Sequence, residues 1–340
     1  MKVSVIGATG YTGAELVKIL LKHPQVEIET ITSQSFANKK ISEIYPSLIT
    51  DLVCQELNIN KIALSSSFIF TALPHQTSME IVGKLHSGGK KIIDLSADFR
   101  FTDPLIYEEW YGTPHQKREL LKKAIYGLPE LYREKISRAH LVANPGCYPT
   151  SSILALAPLV NNDLIKGNSI IVDAKSGVSG AGRALSLATH FPEVNENVRA
   201  YQVKGHRHTP EIEEQLSKLT TREIIITFVP HLVPINRGIL CTCYAAIKQK
   251  TDTKDLLKLY QDFYKEEPFV EILPQGRFPQ TKEVLNSNRC RIGITVNEKS
   301  GRAIIISAID NLAKGAATQA VQNMNIMCGF EETMGLKDGK

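Results

Sequence analysis

The chain opens on KVSVIGATGYTGAELVKILLKHP: a short β-branched run, a glycine turn and an amphipathic stretch. Ala14, Leu16, Val17, Leu20 and Leu21 recur at helical spacing, so the segment reads as buried strand, tight turn and helix, the first half of a βαβ unit. The runs VEIETITS, FIFTAL and KKIIDLS continue it, with a helical TSMEIVGKLHSGG before the last. That alternation predicts a parallel sheet covered by helices through about residue 145.

Gly7, Gly10 and Gly13 sit at the strand-to-helix turn, where glycines permit the bend and let backbone N–H groups approach a pyrophosphate at a helix N-terminus. Their spacing is G-x-x-G-x-x-G, and a merely tight turn is the competing reading. Position in the first strand-turn-helix favours nucleotide binding, with Thr9, Tyr11 and Thr12 as further expected cofactor contacts. The second strand ends in Ser33, Gln34 and Ser35 rather than in an acid that would bond a ribose 2′-hydroxyl and repel a 2′-phosphate. NADP is therefore expected over NAD, with Ser33 and Ser35 among its contacts.

At 340 residues the chain exceeds one ordinary core, and two domains with a cleft are expected. NSIIVDAKS, REIIITFVPHLVP, GILCTCYAAI and RCRIGITV predict a second, mixed sheet with helices. In the last stretch Asp310 is placed as an N-cap, and Leu312, Ala316, Ala317, Ala320, Val321 and Met324 form a narrow stripe of mostly small residues. This helix is expected to return to the first domain, giving a Rossmann-type cofactor domain of residues 1–146 plus 310–340 and an α+β domain of residues 147–309. The lysines at the C-terminus, Lys337 and Lys340, are expected to fray.

A formal net charge of +5 is spread in runs no longer than Lys39-Lys40 or Lys122-Lys123, which gives no nucleic-acid stripe. The N-terminus lacks the pattern of a signal peptide and no apolar run reaches membrane-span length, so a cytoplasmic protein without a membrane partner is expected. The cysteines at 54, 147, 241, 243, 290 and 328 show no disulfide framework. Cys241 and Cys243 share one face of a strand but have no further ligands at zinc-like spacing, so packing is expected and no metal.

Cys147 differs from the rest. It follows Asn-Pro-Gly and precedes Pro149, which a first helical turn tolerates, and Ile153, Leu154, Ala157 and Val160 continue at helical spacing. A thiol at a helix start meets free N–H groups and the positive end of the dipole, which favour the thiolate. Local sequence leaves two readings open, a small buried hydrophobe and a nucleophile. KGHRHTPEI offers His206 and His208 as bases, although a structural role is equally available to them and to His75, His190 and His231. AKSGVSGAGR, with Ser176, Ser179 and Arg183, reads either as an anion-binding loop or as a surface turn.

In GATGYTGAEL, DLSADFR, YGLPEL, NPGCYPT, SGVSGAGR, GHRHTPEI, PHLVPINRGIL and DNLAKGAATQAVQNMN, in that order, the chain resembles the N-acetyl-gamma-glutamyl-phosphate reductases of the longer type. The resemblance implies the architecture of the glyceraldehyde-3-phosphate dehydrogenase-like enzymes, with the second domain serving catalysis and oligomerisation in a homodimer or homotetramer. It also implies NADPH-dependent reduction of an acyl phosphate in arginine biosynthesis, through a thioester on Cys147. His206 becomes the expected acid/base, with His208 the alternative. Arg100 becomes the expected phosphate contact, and Ser176, Arg183, Arg207 and Arg237 further substrate contacts. Gly177 and Asn311 become cofactor contacts. The chain departs from the family at Gln34, where an arginine often follows the second strand. Two competing functions are an acyl-phosphate reductase of lysine synthesis and a non-catalytic NADP sensor.

Overall fold

Four of the five residues of β1 (Lys2–Ile6) are buried because the strand lies inside a seven-stranded sheet, third from one edge. With β2 (Glu27–Thr32), β3 (Cys54–Gln55), β4 (Phe68–Thr71), β5 (Lys91–Asp94), β6 (Ile125–Tyr126) and β7 (Leu141–Ala143) the order is β3-β2-β1-β4-β5-β7-β6. Every pairing in it is parallel. A parallel sheet covered on both faces needs near-continuous apolar strands, which VSVI and FIF supply. The two-residue strands and the three-residue β7 were too short to leave a pattern in the sequence.

The computed structural model describes residues 1–336 and divides into two units, Met1–Pro145 with the described residues from Ala316 onward, and Gly146–Gly315. Lys337 and Lys340 lie outside the described residues. Residues 310–315, expected with the cofactor domain, cluster with the second unit. Side-chain bonds explain this: Asp310 pairs with Arg237, and the Asn311 Oδ1 accepts from the Gly238 N–H at 2.8 Å.

In the first unit the last helix, Thr318–Cys328, is buried on nearly every face rather than along one narrow stripe. Its polar side chains bond other buried groups: Asn323 Nδ2 donates to the Gly127 carbonyl at 2.8 Å, and Asn325 Oδ1 meets His23 Nε2 at 3.0 Å. Polar residues that looked solvent-facing by spacing are therefore interior.

The second unit holds β8 (Ile170–Gly177), β9 (Arg199–Ala200), β10 (Ile226–Val233), β11 (Ile239–Ala246), β12 (Val270–Ile272), β13 (Cys290–Asn297) and β14 (Arg302–Ile309). Their order is β12-β13-β14-β11-β8-β10-β9, with parallel pairs β8/β10 and β12/β13 in an otherwise antiparallel sheet. Against it lies the helix Cys147–Asn161, with thirteen consecutive buried residues from Tyr148 to Val160. Pro158 lies inside this helix and has no N–H for the Leu154 carbonyl. The Tyr264 hydroxyl donates to that carbonyl at 2.6 Å, so the helix runs on through the proline. Cys241 and Cys243 are buried on one face of β11, and burial pushes the Cys241 thiol up to about 11.

Among the described residues no helix is long and apolar enough to cross a membrane, and no group of three or more histidine, cysteine or acidic side chains is placed to hold a metal.

Candidate active site

In the first unit the glycine turn joins β1 to the helix Tyr11–Leu20. Gly7 has φ +87°, and a Cβ there would stand 2.4 Å from the Ala72 carbonyl oxygen. A Cβ on Gly13 would stand 2.3 Å from the Gly7 oxygen. Both glycines serve the turn itself. Gly10 is different, because its φ is −71° and a Cβ would meet nothing closer than 3.9 Å. Nothing inside the protein requires a glycine there, whereas a phosphate lying on the helix N-terminus would. The residues present therefore fit a dinucleotide.

Thr9 Oγ1 and Ser33 Oγ are 2.7 Å apart, and Ser33 Oγ also accepts from the Phe36 N–H at 3.2 Å, so the end of β2 is hooked onto the turn. Ser33 is thereby buried, while Tyr11, Gln34 and Ser35 are exposed and Thr12 is half-buried. At the end of β5 the buried Asp94 carboxylate accepts from the hydroxyls of Thr71, Ser78 and Ser96 at 2.6, 2.5 and 2.5 Å. Burial pushes its carboxyl above the ordinary range. This network pins the DLSADFR loop, whose Arg100 is buried and donates to the carbonyls of Asn144 at 2.8 Å and Leu95 at 2.9 Å. Arg100 thus fixes the chain three residues before Cys147.

In the second unit Gly146 caps the helix that begins at Cys147, with an extended backbone and no side-chain cap, and Thr150 Oγ1 bonds back to its carbonyl. The Cys147 thiol is only half-buried, unlike Cys241 and Cys243. Two close approaches leave no room for side chains around it. A Cβ on Gly146 would stand 2.5 Å from His208 Nε2, and one on Gly315 2.8 Å from the Cys147 Cβ. Gly315 lies in the π-helical turn Ala313–Ala317, opened by Asp310, whose Oδ1 accepts from the Leu312 and Ala313 N–H groups as the N-cap expected there. Such wide turns recur at functional sites.

Both candidate histidines reach the start of this helix. The Tyr148 ring packs edge-on against His206 at 5.6 Å and against His208 at 5.9 Å between centroids. His206 is the more deeply set, with Tyr201 and Phe228 completing its surroundings. Burial, and then the adjacent Arg207 charge, pull its imidazole down to about 4, so the ring is neutral. The His208 backbone N–H donates to His206 Nδ1 at 3.0 Å, which leaves the proton of the neutral ring on Nε2.

The other expected contacts separate. Ser176 and Gly177 end β8 in buried positions, and Ser179 Oγ donates to the Asn236 carbonyl at 2.6 Å. Arg183 and Arg207 are exposed. Arg237, expected to hold substrate, instead makes an ion pair with the fully buried Asp310, Nε to Oδ2 at 3.0 Å and Nη2 to Oδ1 at 3.0 Å. A buried carboxylate demands a partner, and Arg237 supplies one. Asn311 is fixed beside them, its Nδ2 donating to Ser179 Oγ at 3.0 Å and its Oδ1 accepting from the Gly238 N–H.

Three residues escaped the sequence reading. Glu211 is fully buried and its Oε1 accepts from the Gly146 N–H at 2.8 Å. The Tyr201 hydroxyl donates to the Tyr148 hydroxyl at 3.2 Å, and burial pushes Tyr201 up to about 12. The signal for Glu211 was its place in the first turn after GHRHTP, which predicts a cap-like acceptor but not for which amide.

Residues 2–139 match the family model described as the NAD binding domain of semialdehyde dehydrogenase, and residues 147–311 match its dimerisation domain. Solved structures of aspartate semialdehyde dehydrogenase share this architecture: that of Vibrio cholerae, complexed with ASA, and that of Candida albicans, with NADP, each superpose with TM-score 0.73 at 16% identity. Both comparisons cover 96% of this chain and 98% of the other. The fold and the matched domains define a two-domain dehydrogenase of the semialdehyde dehydrogenase class.

Proteins named N-acetyl-gamma-glutamyl-phosphate reductase from Pelotomaculum thermopropionicum and Desulforudis audaxviator are 54% and 53% identical to this chain over 338 residues. The matches cover 99% of this chain and 97% and 98% of theirs. The chain belongs to the N-acetyl-gamma-glutamyl-phosphate reductase family.

Proposed function

We infer that the protein reduces N-acetyl-gamma-glutamyl phosphate to N-acetyl-L-glutamate 5-semialdehyde with release of phosphate, in arginine biosynthesis, using NADPH. The observation that carries this reading is the half-buried Cys147 thiol at the start of a helix, in a chain that matches named reductases along nearly its full length. A carboxylate resists hydride, so the acid must arrive activated as its acyl phosphate. Cys147 sulfur attacks the acyl carbon, the C–O bond to phosphate breaks, and a thioester remains. The first-turn N–H groups and the helix dipole favour the anionic sulfur that this step needs.

NADPH held by the residues of the glycine turn would supply the hydride that reduces the thioester carbonyl. The oxygen then carries negative charge, and the neutral His206 ring, with its one proton on Nε2, is suited to hydrogen-bond it without giving that proton up. Collapse of the C–S bond releases the aldehyde and returns the thiolate. His206 is therefore the preferred acid/base over His208, whose ring packs against Gly146. We assign the phosphate contact to Arg100 and further anion contacts to Ser176, Arg183 and Arg207, leaving Arg237 as a structural partner of Asp310. Gly7, Thr9, Gly10, Tyr11, Thr12, Gly13, Ser33 and Ser35 are the proposed cofactor contacts in the first unit, and Gly177 and Asn311 in the second. The absence of an acid at the end of β2 supports NADP over NAD. We place the enzyme in the cytoplasm as a homo-oligomer, a reading supported by its biosynthetic relatives and by the matched dimerisation domain.

Run in reverse, the enzyme is expected to reduce NADP⁺ only when N-acetylglutamate semialdehyde and phosphate are both supplied. Equal rates without phosphate would overturn the acyl-phosphate assignment.

A further inference from the structure

Gly315 lies against the Cys147 side chain: a Cβ built on it would stand 2.8 Å from the Cys147 Cβ and 3.2 Å from its Cα. A glycine backbone is therefore the wall on one side of the carbon that bears the thiol. A cysteine side chain turns about a single bond between three staggered positions, and a wall against its Cβ closes those that carry the sulfur into it. Whatever fixes Gly315 thus limits where the Cys147 sulfur can stand.

Asp310, at the other end of the same turn, fixes it from both its main chain and its side chain. Its carbonyl accepts from the Gly315 N–H at 2.9 Å. Its fully buried carboxylate accepts from the N–H groups of Leu312 at 2.9 Å, Ala313 at 3.1 Å and Asn286 at 2.7 Å, and from Arg237 Nε and Nη2. Asn286 has φ +57°, a left-handed backbone that non-glycine residues seldom adopt, and its bond to Asp310 holds it there. Lys314 is also fully buried, with Nζ 5.6 Å from the centre of the Phe269 ring. Two buried ionic side chains in one short turn cost more than apolar residues of their size would. They are a poor device for stability and a good one for placing a backbone.

We propose that Asp310 is a positioning residue for the reaction at Cys147: its carboxylate, clamped by Arg237, sets the turn that holds Gly315 against the nucleophile and confines the sulfur to its line of attack on the acyl carbon. Asp310 is fully buried and acts only through that turn. The proposal rests on the reading of Cys147 as the nucleophile. Asp310→Asn keeps the shape of the side chain but offers one acceptor oxygen and an amide that donates, so a donor meets donors and the turn has to shift. Displacing a reacting atom by about 1 Å costs about 100-fold in rate.

Phosphate release from N-acetyl-gamma-glutamyl phosphate without NADPH isolates this step from hydride transfer. In Asp310→Asn, folded by circular dichroism, the rate of the phosphate burst at saturating acyl phosphate is expected to fall about 30-fold or more. The half-saturating concentration is expected to stay within about threefold of wild type, and the amplitude near one phosphate per chain, because binding and the folded fraction are unchanged. A role confined to stability would leave that rate untouched below the melting temperature. Arg237→Lys keeps the charge but gives up the two-point grip, and is expected to slow the same rate by about threefold or more. It carries the test alone if Asp310→Asn does not fold. A wild-type burst rate in either folded variant, or a loss confined to the half-saturating concentration, overturns the proposal. If wild type shows neither burst nor adduct on Cys147, the covalent reading falls with it, whereas a normal wild-type burst with unaffected variants removes only the role of Asp310.

Discussion

The Glu211 carboxylate, buried on the helix after GHRH, accepts a hydrogen bond from the backbone N–H of Gly146, the residue immediately before the Cys147 thiol. It therefore anchors the entry to the helix that presents the nucleophile. Glu211→Gln retains an acceptor and is expected to keep most stability and turnover. Glu211→Ala leaves a buried N–H unpaired, which costs about 1–3 kcal/mol. Thermal unfolding and steady-state rates on the pair of variants check this, with a lower melting temperature and a lower kcat expected for Ala alone.

Gly10 and Gly13 separate folding from cofactor binding. Gly13→Ala forces a Cβ to 2.3 Å from the Gly7 oxygen, so a distorted turn and a large loss of stability are expected. Gly10→Ala meets no such obstacle and is expected to fold normally. Its methyl group would nonetheless stand where the pyrophosphate approaches, so NADP⁺ affinity measured by titration calorimetry should fall at least 10-fold.

His206 couples protonation to stability with a definite sign. Its imidazole is held at about 4 in the folded chain against 6.5 in an unperturbed one, so protonation favours the unfolded state. The stabilisation is present above about pH 6.5 and is lost progressively as pH falls toward 4, amounting to about 2 kcal/mol by pH 5. Denaturant unfolding at pH 8 and pH 5 should show a stability loss smaller by this amount in His206→Asn than in wild type. Other buried histidines titrate in both proteins, so the difference isolates His206.

How far the sequence revealed all this depends on whether the relevant chemistry was local. The glycine turn, the Cys147 helix start and the GHRH pair were legible because backbone conformation and neighbouring residues carry their meaning. Arg237 was not, because its partner Asp310 is 73 positions away and only the fold brings a buried carboxylate to it. The last helix looked one-sided because spacing reports a stripe, while Asn323 and Asn325 find interior partners that lie far off in sequence.

The thioester can be observed before any reduction takes place. Mixed with N-acetyl-gamma-glutamyl phosphate in the absence of NADPH, wild type is expected to release a burst of one phosphate per active chain. Intact-protein mass spectrometry should then show one N-acetylglutamyl group, mapped to Cys147, and Cys147→Ala should show neither burst nor adduct. An adduct on another residue, or phosphate release in Cys147→Ala at the wild-type burst amplitude, would contradict the covalent mechanism.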